Sequence, residues 1–345
     1  MALFTHPEFD GHETVVFAQN GGDGLRTIIA VHDTTLGPAL GGCRVWNYAD
    51  EAEALTDVLR LSRSMSYKAA LAGLPLGGGK SVVLADSRRD KTEAMMRAMG
   101  RAVERLGGRY IVAEDVGVSV ADMDAVATET RHVAGTTETA GDPSPHTARG
   151  VCLSIEAAAR RRLGRGLDGL EVTVLGLGHV GARLAAMLAE AGARLAVADI
   201  RPEAVAEVAR TTGARGIGVD EAHQAEADVF APCALGAGLN ARTIPEIGAQ
   251  IVCGAANNQL AQPGDDRRLA EAGILYCPDY LVNAGGLISV ARGVTGDDDA
   301  AIAARVEGIP ATLKAVIERA ETEDMPPGAA ADSLARSRIE EARRA

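Results

Sequence analysis

Two short stretches of this 345-residue chain set reactive groups beside glycine runs. The first is GLPLGGGKSVV, Gly73 to Val83, in which Lys80 and Ser81 follow a run of glycines. It approaches the phosphate-cradling pattern G-x-x-x-x-G-K-[ST], but the first glycine of that pattern would fall on Leu74. The flanking order is also reversed. A phosphate loop joins a strand to a following helix, whereas here a helical pattern comes first and the β-branched run SVVLAD follows. A phosphate loop is therefore not expected, and the lysine needs another task. A lysine in a dry cleft with a second cation nearby loses proton affinity and can act as a general base near neutral pH. Lys68 lies twelve positions before Lys80, and Asp115 stands in AEDVG at a strand end. Taken singly, each reads equally as a solvated lysine or as a loop acid capping backbone N–H groups, and spacing alone does not bring the three together.

The second stretch is Gly176-Leu177-Gly178-His179-Val180-Gly181, a G-x-G-x-x-G sequence. A strand pattern precedes it, an alanine-rich helical run follows, and the next strand pattern ends in Asp199. In that context the first glycine permits a tight turn, the second lets backbone approach a pyrophosphate, and the third lets helix and strand pack closely. The Asp199 carboxylate would accept hydrogen bonds from an adenosine ribose and repel a 2′-phosphate, which favours NAD over NADP. Arg201 is the residue that could reverse that preference. The competing reading is a plain strand–turn–helix.

These groups need elements to hold them. Asp50-Glu51-Ala52-Glu53 reads as a capping box, and Leu55, Val58, Leu59, Ser62 and Met65 continue at helical spacing over 50–66. TVVFAQ and RTIIAVH flank NGGDG as a hairpin, and a strand over 81–85 is expected beyond a glycine turn. Thr92 opens a helix with Met95, Met99, Val103 and Leu106 on one face, RYIVAEDVG reads as a strand running into a loop, and Ser119 caps another helix. The stretch 135–150 is rich in turn formers and marks a domain boundary. Beyond it a helix over about 147–162 leads into LEVTVLGLGHVG, ARLAAMLAEAG and RLAVADI, with DVFAPCAL, QIVCGAAN and ILYCPDY as later strands. Strands alternating with helices argue for a parallel, doubly wound sheet. From about 298 the chain reads as helical and charged, and is expected to pack back on the first domain.

Bulk properties narrow the function class. The formal net charge of −12, with no basic stripe, argues against a nucleic-acid partner. No apolar run is long enough to span a bilayer, and MALFTHPEFDGHE lacks a basic segment followed by an apolar one, so neither a membrane span nor a signal peptide is expected. Five scattered cysteines, none in C-x-x-C, suit a reduced cytoplasm. The histidines show no ligand spacing, and no metal is expected.

The segments GPALGGCRVW, MSYKAALAGLPLGGGKSVV, YIVAEDVGVSVADMD, GLGHVG, FAPCALG, GAANNQL and YCPDYLVNAGG together resemble the leucine, valine and phenylalanine dehydrogenases of the amino-acid dehydrogenase superfamily, in family order from about residue 37 to 290. The resemblance implies an α/β chain with two domains. An N-terminal α/β substrate domain over 1–135, completed by a C-terminal helix over 325–345, would face a Rossmann-type doubly wound dinucleotide-binding domain over 136–324 across a cleft. It implies that Lys68 binds the substrate α-carboxylate with Gly41 and Gly42 lining the approach, that Lys80 activates water, and that Asp115 passes the amine proton. Leu40, Ala113, Leu287 and Val290 would wall the side-chain pocket, and Asn258 would hold both substrate and nicotinamide. Thr147, Ile200, Cys233, Ala234 and Ala256 would join the glycine loop and Asp199 at the cofactor.

The implied reaction is oxidative deamination of leucine, isoleucine or valine to the 2-oxo acid and ammonia, with its reverse, by a cytoplasmic homo-oligomer. An aromatic amino-acid dehydrogenase for phenylalanine or tryptophan is the alternative within the class. Glutamate fits less well, because Leu40 offers no cation to a side-chain carboxylate. A non-catalytic NAD-binding regulator is the reading from another class, and retention of both lysines and the aspartate argues against it. Two positions depart from the family pattern: Cys43 stands where threonine is expected, and Arg149 where a small or apolar residue is commoner.

Overall fold

A computed structural model of the chain describes residues 3–138, 141–234 and 236–345. Thr139 and Ala140 of the turn-rich stretch, and Leu235 of FAPCALG, lie outside the described residues. The chain divides into two compact units. One comprises Met1–Gly141, Val290–Asp298 and Ala335–Ala345, the other Asp142–Ser289 and Asp299–Leu334.

The first unit runs β1 (Thr14–Asn20), β2 (Leu25–Asp33), β3 (Ala39–Trp46), α1 (Glu51–Leu71), β4 (Gly77–Leu84), α2 (Glu93–Glu104), β5 (Tyr110–Glu114) and α3 (Val120–Ala127). Its sheet has the order β1-β2-β4-β3-β5. β2 pairs antiparallel with β1 and β4, whereas β3 runs parallel to β4 and β5. Side chains alternate between the two faces of a strand, and each face has its own core. Ile28, Ala30 and Val82 pack on Ala54, Leu55, Val58 and Leu59 of α1. Ile29, Val31, Cys43, Val83 and Val112 pack on Met95, Met96, Met99 and Val103 of α2 and on Met123 and Val126 of α3.

The caps are local. Thr92 and Ser119 accept the Met95 and Asp122 backbone N–H groups at the starts of α2 and α3. At α1 the reciprocal box is displaced: Asp50 accepts from Glu53 N, but the Glu53 carboxylate reaches back to Ala49 N rather than to Asp50.

Two expectations change here. GPALGGCRVW contains a full strand, β3, that the sequence pattern did not suggest, and the glycines before Lys80 are the first residues of β4 rather than a turn. The cause is crowding. A Cβ on Gly78 would lie 1.9 Å from Ser66 N of α1, and one on Gly77 1.9 Å from Asp33 O. Only glycine lets the helix and the neighbouring backbone close on this strand, and tertiary packing overrides the poor strand propensity of the run.

The second unit contains α4 (Ser144–Leu163), β6 (Glu171–Leu175), α5 (His179–Glu190), β7 (Arg194–Ala198), α6 (Pro202–Thr212), β8 (Arg215–Gly216), β9 (Ala227–Pro232), β10 (Ala249–Val252), α7 (Asp265–Glu271), β11 (Leu275–Tyr276) and α8 (Asp279–Val282). α9 (Gly285–Thr295), α10 (Asp299–Thr322) and α11 (Pro327–Arg344) follow, α9 and α11 each passing from this unit into the first partway along. The sheet order is β11-β10-β9-β6-β7-β8, with every pairing parallel. Strand order reverses at β6, which is flanked by β9 and β7. This is a doubly wound, Rossmann-type sheet, and its switch point is where such sheets bind ligands. Among the described residues no helix is long and apolar enough to cross a membrane.

The end of α11 belongs to the first unit. There Arg338 donates to the carbonyls of Ala70 and Leu71 at the end of α1, and Arg343 pairs with Asp33 at 2.5 Å.

Candidate active site

In the first unit, β3 lies between β4 and β5 and carries the glycine pair. Lys80 is the fourth residue of β4, two before Val82, so its side chain points to the face that α1 covers. Its residue is 5 % exposed. Asp115 follows directly after β5, and its Oδ2 lies 3.1 Å from Lys80 Nζ. The two meet over Gly42, where a Cβ would come within 2.6 Å of Asp115 Cβ and 3.2 Å of Lys80 Nζ. Gly41 does something different. Its Cβ would strike the Gly79 carbonyl, so it serves contact between the β3 and β4 backbones. Leu40 and Ala113 share the face of Gly42 and Asp115, each two positions away along its own strand, and both are buried. Lys68 is half-buried in the last turn of α1, two residues past the Ser66 that Gly78 admits.

Asp115 has a second cation. Arg44 Nε donates to the same Oδ2 at 2.9 Å, and Arg44 Nη1 donates to Asp57 Oδ2 of α1 at 2.9 Å. Tyr48 donates its hydroxyl to Asp57 at 2.6 Å. Charges alternate along this chain, which is how partly buried ions are retained. Burial works to raise the Asp115 carboxyl, but Lys80 and Arg44 outweigh it and hold the group below its ordinary value. On the far face of the sheet the fully buried Tyr110 hydroxyl donates to the Gly41 carbonyl at 2.8 Å and lies 3.0 Å from Ser81 Oγ, tying β3, β4 and β5 together.

In the second unit the glycine loop leaves β6 at the switch point. Gly176 has φ +97°, and a Cβ there would lie 2.7 Å from Ala234 N. Gly181 brings α5 onto the loop, its Cβ position being 1.9 Å from Gly176 O and 3.2 Å from Cys233 Cβ. Gly178 is the N-cap of α5 with no side-chain cap, and the space a Cβ would take is open. The α5 N-terminus therefore has room and unpaired polarity for an anion. Asp199, at the end of β7, accepts Leu177 N at 2.6 Å through Oδ2 and Arg201 N at 2.9 Å through Oδ1. Arg201 folds over the same carboxylate, Nε to Oδ1 at 3.1 Å, and donates on to the Leu177 carbonyl. Ile200 stands 84 % exposed beside them. These features fit a dinucleotide: a glycine cradle, an uncapped helix start, an acid at the next strand end and an exposed apolar neighbour.

The other residues anticipated at the cofactor lie elsewhere in this unit. Thr147 Oγ1 donates to Pro143 O in the first turn of α4, against Gly286 at the start of α9. Asn258 is exposed with φ +52°, and its carbonyl accepts Ala237 N at 2.7 Å. Ala256 is buried. Of the two anticipated pocket walls on α9, Leu287 is buried and lies in this unit, and Val290 is half-buried and begins the segment that belongs to the first.

Thus the fold gathers Lys80, Asp115, Gly42, Leu40 and Ala113 on one face of the first sheet. It also gathers Gly176, Leu177, Gly181, Cys233, Ala234 and Asp199 at one end of the second. Sequence reasoning missed Arg44, Asp57 and Tyr48. The signal for Arg44 was the alternation Leu40, Gly42, Arg44 within a strand, a signal that exists only once GPALGGCRVW is seen to be extended.

Comparisons with known proteins agree with this architecture. The model of the family "Glu/Leu/Phe/Val dehydrogenase, dimerisation domain" matches residues 12–132, and that of "Glutamate/Leucine/Phenylalanine/Valine dehydrogenase" matches residues 197–345. The chain is 46 % identical to a leucine dehydrogenase of Geobacillus stearothermophilus over 349 residues, covering 100 % of this chain and 95 % of the relative. It is 46 % identical to a valine dehydrogenase of Streptomyces virginiae, covering 98 % and 96 %. The crystal structure of an L-tryptophan dehydrogenase from Nostoc punctiforme is 43 % identical and superposes with a TM-score of 0.89, covering 97 % of this chain and 98 % of that one.

Proposed function

The chain belongs to the glutamate/leucine/phenylalanine/valine dehydrogenase family, and from that premise we propose that it oxidises leucine, isoleucine or valine with NAD to the 2-oxo acid and ammonia, and runs the reverse reductive amination. It is an amino-acid dehydrogenase using a nicotinamide cofactor. The observation that carries the proposal is the Lys80–Asp115 pair over Gly42, a largely buried acid/base set beside the apolar Leu40 and Ala113. Relatives that act on leucine and valine support the choice of substrate.

In this reading Lys68 holds the substrate α-carboxylate. Asp115 takes a proton from the substrate ammonium, one N–H bond breaking as an O–H bond forms, and returns it to departing ammonia. Once the Cα hydride has left and Cα holds a C=N bond, Lys80 orients water toward Cα and takes its proton as the C–O bond forms and the C=N π pair returns to nitrogen. The C–N bond then breaks on the nitrogen that Asp115 reprotonates, while the hydroxyl loses its remaining proton to solvent and becomes the 2-oxo carbonyl. Positioning of this kind supplies several kcal/mol of a barrier. The nicotinamide, when bound, accepts the Cα hydride. The glycine loop would hold the pyrophosphate, Asp199 the adenosine ribose and Ile200 the adenine, with Thr147, Cys233, Ala234, Ala256 and Asn258 toward the nicotinamide end. Asp199 and its bonded Arg201 support NAD over NADP. The dimerisation-domain match supports a homo-oligomer, and free cysteines support a cytoplasmic location.

The aromatic alternative has one observation in its favour, the likeness to a tryptophan dehydrogenase. Absorbance of the reduced nicotinamide across leucine, isoleucine, valine, phenylalanine, tryptophan and glutamate separates the readings. The proposal expects the three aliphatic substrates to lead and glutamate to be negligible. A tenfold lead for an aromatic substrate would establish the alternative.

A further inference from the structure

We propose that Arg44, braced by Asp57 and Tyr48, is a positioning residue that fixes the Asp115 carboxylate so that one oxygen meets Lys80 while the other stays available to the substrate amine. The inference rests on the acid/base reading of Lys80 and Asp115 given above.

The geometry is specific. Arg44 Nε and Lys80 Nζ both donate to Oδ2 of Asp115, at 2.9 and 3.1 Å. Among the described residues, Oδ1 takes no protein hydrogen bond, and the Asp115 side chain is 23 % exposed. A carboxylate facing one flexible ammonium swings freely and can offer it both oxygens. A guanidinium is a planar fork whose donors point in fixed directions. Here one prong grips Asp115 and another grips Asp57 of α1 at 2.9 Å, and Asp57 is itself held by the Tyr48 hydroxyl at 2.6 Å. Arg44 thus ties the carboxylate to both β3 and α1. It also shares Oδ2 with Lys80, so Asp115 is not wholly consumed by the lysine. The Arg44 side chain is only 19 % exposed, and its Nε and Nη1 are each taken by a carboxylate, so the contact it makes toward the reacting groups is the one to Asp115. Its action therefore runs through Asp115.

The test uses the full chain and two readouts. Steady-state kinetics with leucine and NAD compare the unaltered enzyme with Arg44→Gln, Arg44→Lys, Asp115→Asn and the Arg44→Gln/Asp115→Asn pair. Arg44→Gln is expected to lower kcat about 10- to 100-fold, the scale of a misplaced catalytic group, with substrate KM and NAD affinity within about threefold. Arg44→Lys should recover part of that loss. In the Asp115→Asn background Arg44→Gln should cost less than about threefold more, because residues acting as a unit are not additive. Additive losses, a change confined to KM, or no advantage of lysine over glutamine would each overturn the proposal. If Arg44→Gln does not fold, Asp57→Asn releases the brace while leaving both cations on Asp115, and a smaller loss confined to kcat is expected; an unchanged kcat overturns the proposal. The second readout is a carboxyl 13C NMR titration, with the Asp115 signal assigned by its loss in Asp115→Asn. Removing Arg44 takes away a cation, so the Asp115 midpoint must move up. A chain inactive toward every amino acid would defeat the functional reading, while this midpoint would still decide whether Arg44 holds Asp115; no upward movement overturns the inference.

Discussion

Lys80 and Asp115 lie 3.1 Å apart although β4, which carries the lysine, and β5, which ends just before the aspartate, are not neighbours: β3 runs between them, and the pair meets above its Gly42. That contact is a property of three strands at once, and it sets what each substitution there should do.

Lys80→Ala removes the group proposed to activate water. Turnover should fall at least about a hundredfold, the usual scale for general acid–base catalysis. NAD titrated by fluorescence should bind as before, since the glycine loop and Asp199 lie in the other unit. A variant that keeps its turnover would remove Lys80 from the mechanism.

Gly42→Ala should be nearly as damaging without touching either reactive group. The added methyl would sit 2.6 Å from Asp115 Cβ and 3.2 Å from Lys80 Nζ, so the pair must separate. A displacement of about 1 Å is enough to lose about a hundredfold in rate. The expected result is a large fall in kcat together with a lowered melting temperature, since the methyl would also lie 2.8 Å from the Glu114 carbonyl. Equal activity would mean that the pair does not need to close over this position.

The β6–α5–β7 unit of the second sheet was legible in the sequence because its signals are local: strand, glycine turn, alanine-rich helix and an acid at the next strand end all lie within Glu171–Asp199. The two-residue edge strand β8 carries no such signal and was not foreseen. The first sheet was legible only in part. β3 and the start of β4 carry glycines at Gly41, Gly42 and Gly77 to Gly79, and no local pattern marks such a run as extended. Their conformation is fixed by neighbours distant in sequence, such as Ser66 against Gly78 and Gly79 against Gly41. For the same reason the lysines and Asp115 were individually ambiguous, and Arg44 was invisible, until topology placed them on one face.

Asp199 and Arg201 make the cofactor preference testable. Arg201 Nε now donates to Asp199 Oδ1 at 3.1 Å, and the Asp199 carboxyl, despite partial burial, is held below its ordinary value by Arg201 and Leu177 N. The unaltered enzyme should favour NAD in kcat/KM. Asp199→Ala removes the ribose acceptor and frees the guanidinium, so NAD efficiency should fall and NADP efficiency rise, each by about tenfold. If the ratio does not move, this pair does not govern the choice.

Asp266 gives a pH dependence of stability. It is 6 % exposed, its Oδ2 accepts Gly328 N and Ala329 N at the start of α11, and its Oδ1 is buried without a partner. Burial pushes its carboxyl from 3.8 up to about 6. A carboxyl whose folded value is raised stabilises the protein fully only below the unfolded value. That contribution is lost as pH rises from about 4 to about 6, and amounts to at most about 3 kcal/mol. Asp266→Asn should remove this loss, so its melting temperature relative to the unaltered protein should rise between pH 4 and pH 7. The difference is the right quantity, because the buried His12, lowered to about 4, makes both proteins weaker in acid. A difference constant across that range would show that Asp266 does not titrate there.

Leu40 decides how the side-chain preference can be tested. It is 1 % exposed, two residues before Gly42 on β3, and therefore on the face that carries Lys80 and Asp115. Ala113 stands opposite Gly42 on β5, two residues before Asp115. Neither can partner a charge, so a glutamate side chain would be desolvated without compensation. Shape discriminates less sharply, since one methylene is worth about 1–3 kcal/mol. Leu40→Ala removes more than that. It should lower kcat/KM for leucine about tenfold, raise it for phenylalanine, and so shift the leucine-to-phenylalanine ratio by well over tenfold. The substitution also opens a buried cavity, costing about 2–5 kcal/mol of stability, so the kinetics belong well below the variant's melting temperature. A ratio that stays put in a folded variant would remove Leu40 from the pocket wall, and the aliphatic preference would then have to come from elsewhere than this face of β3.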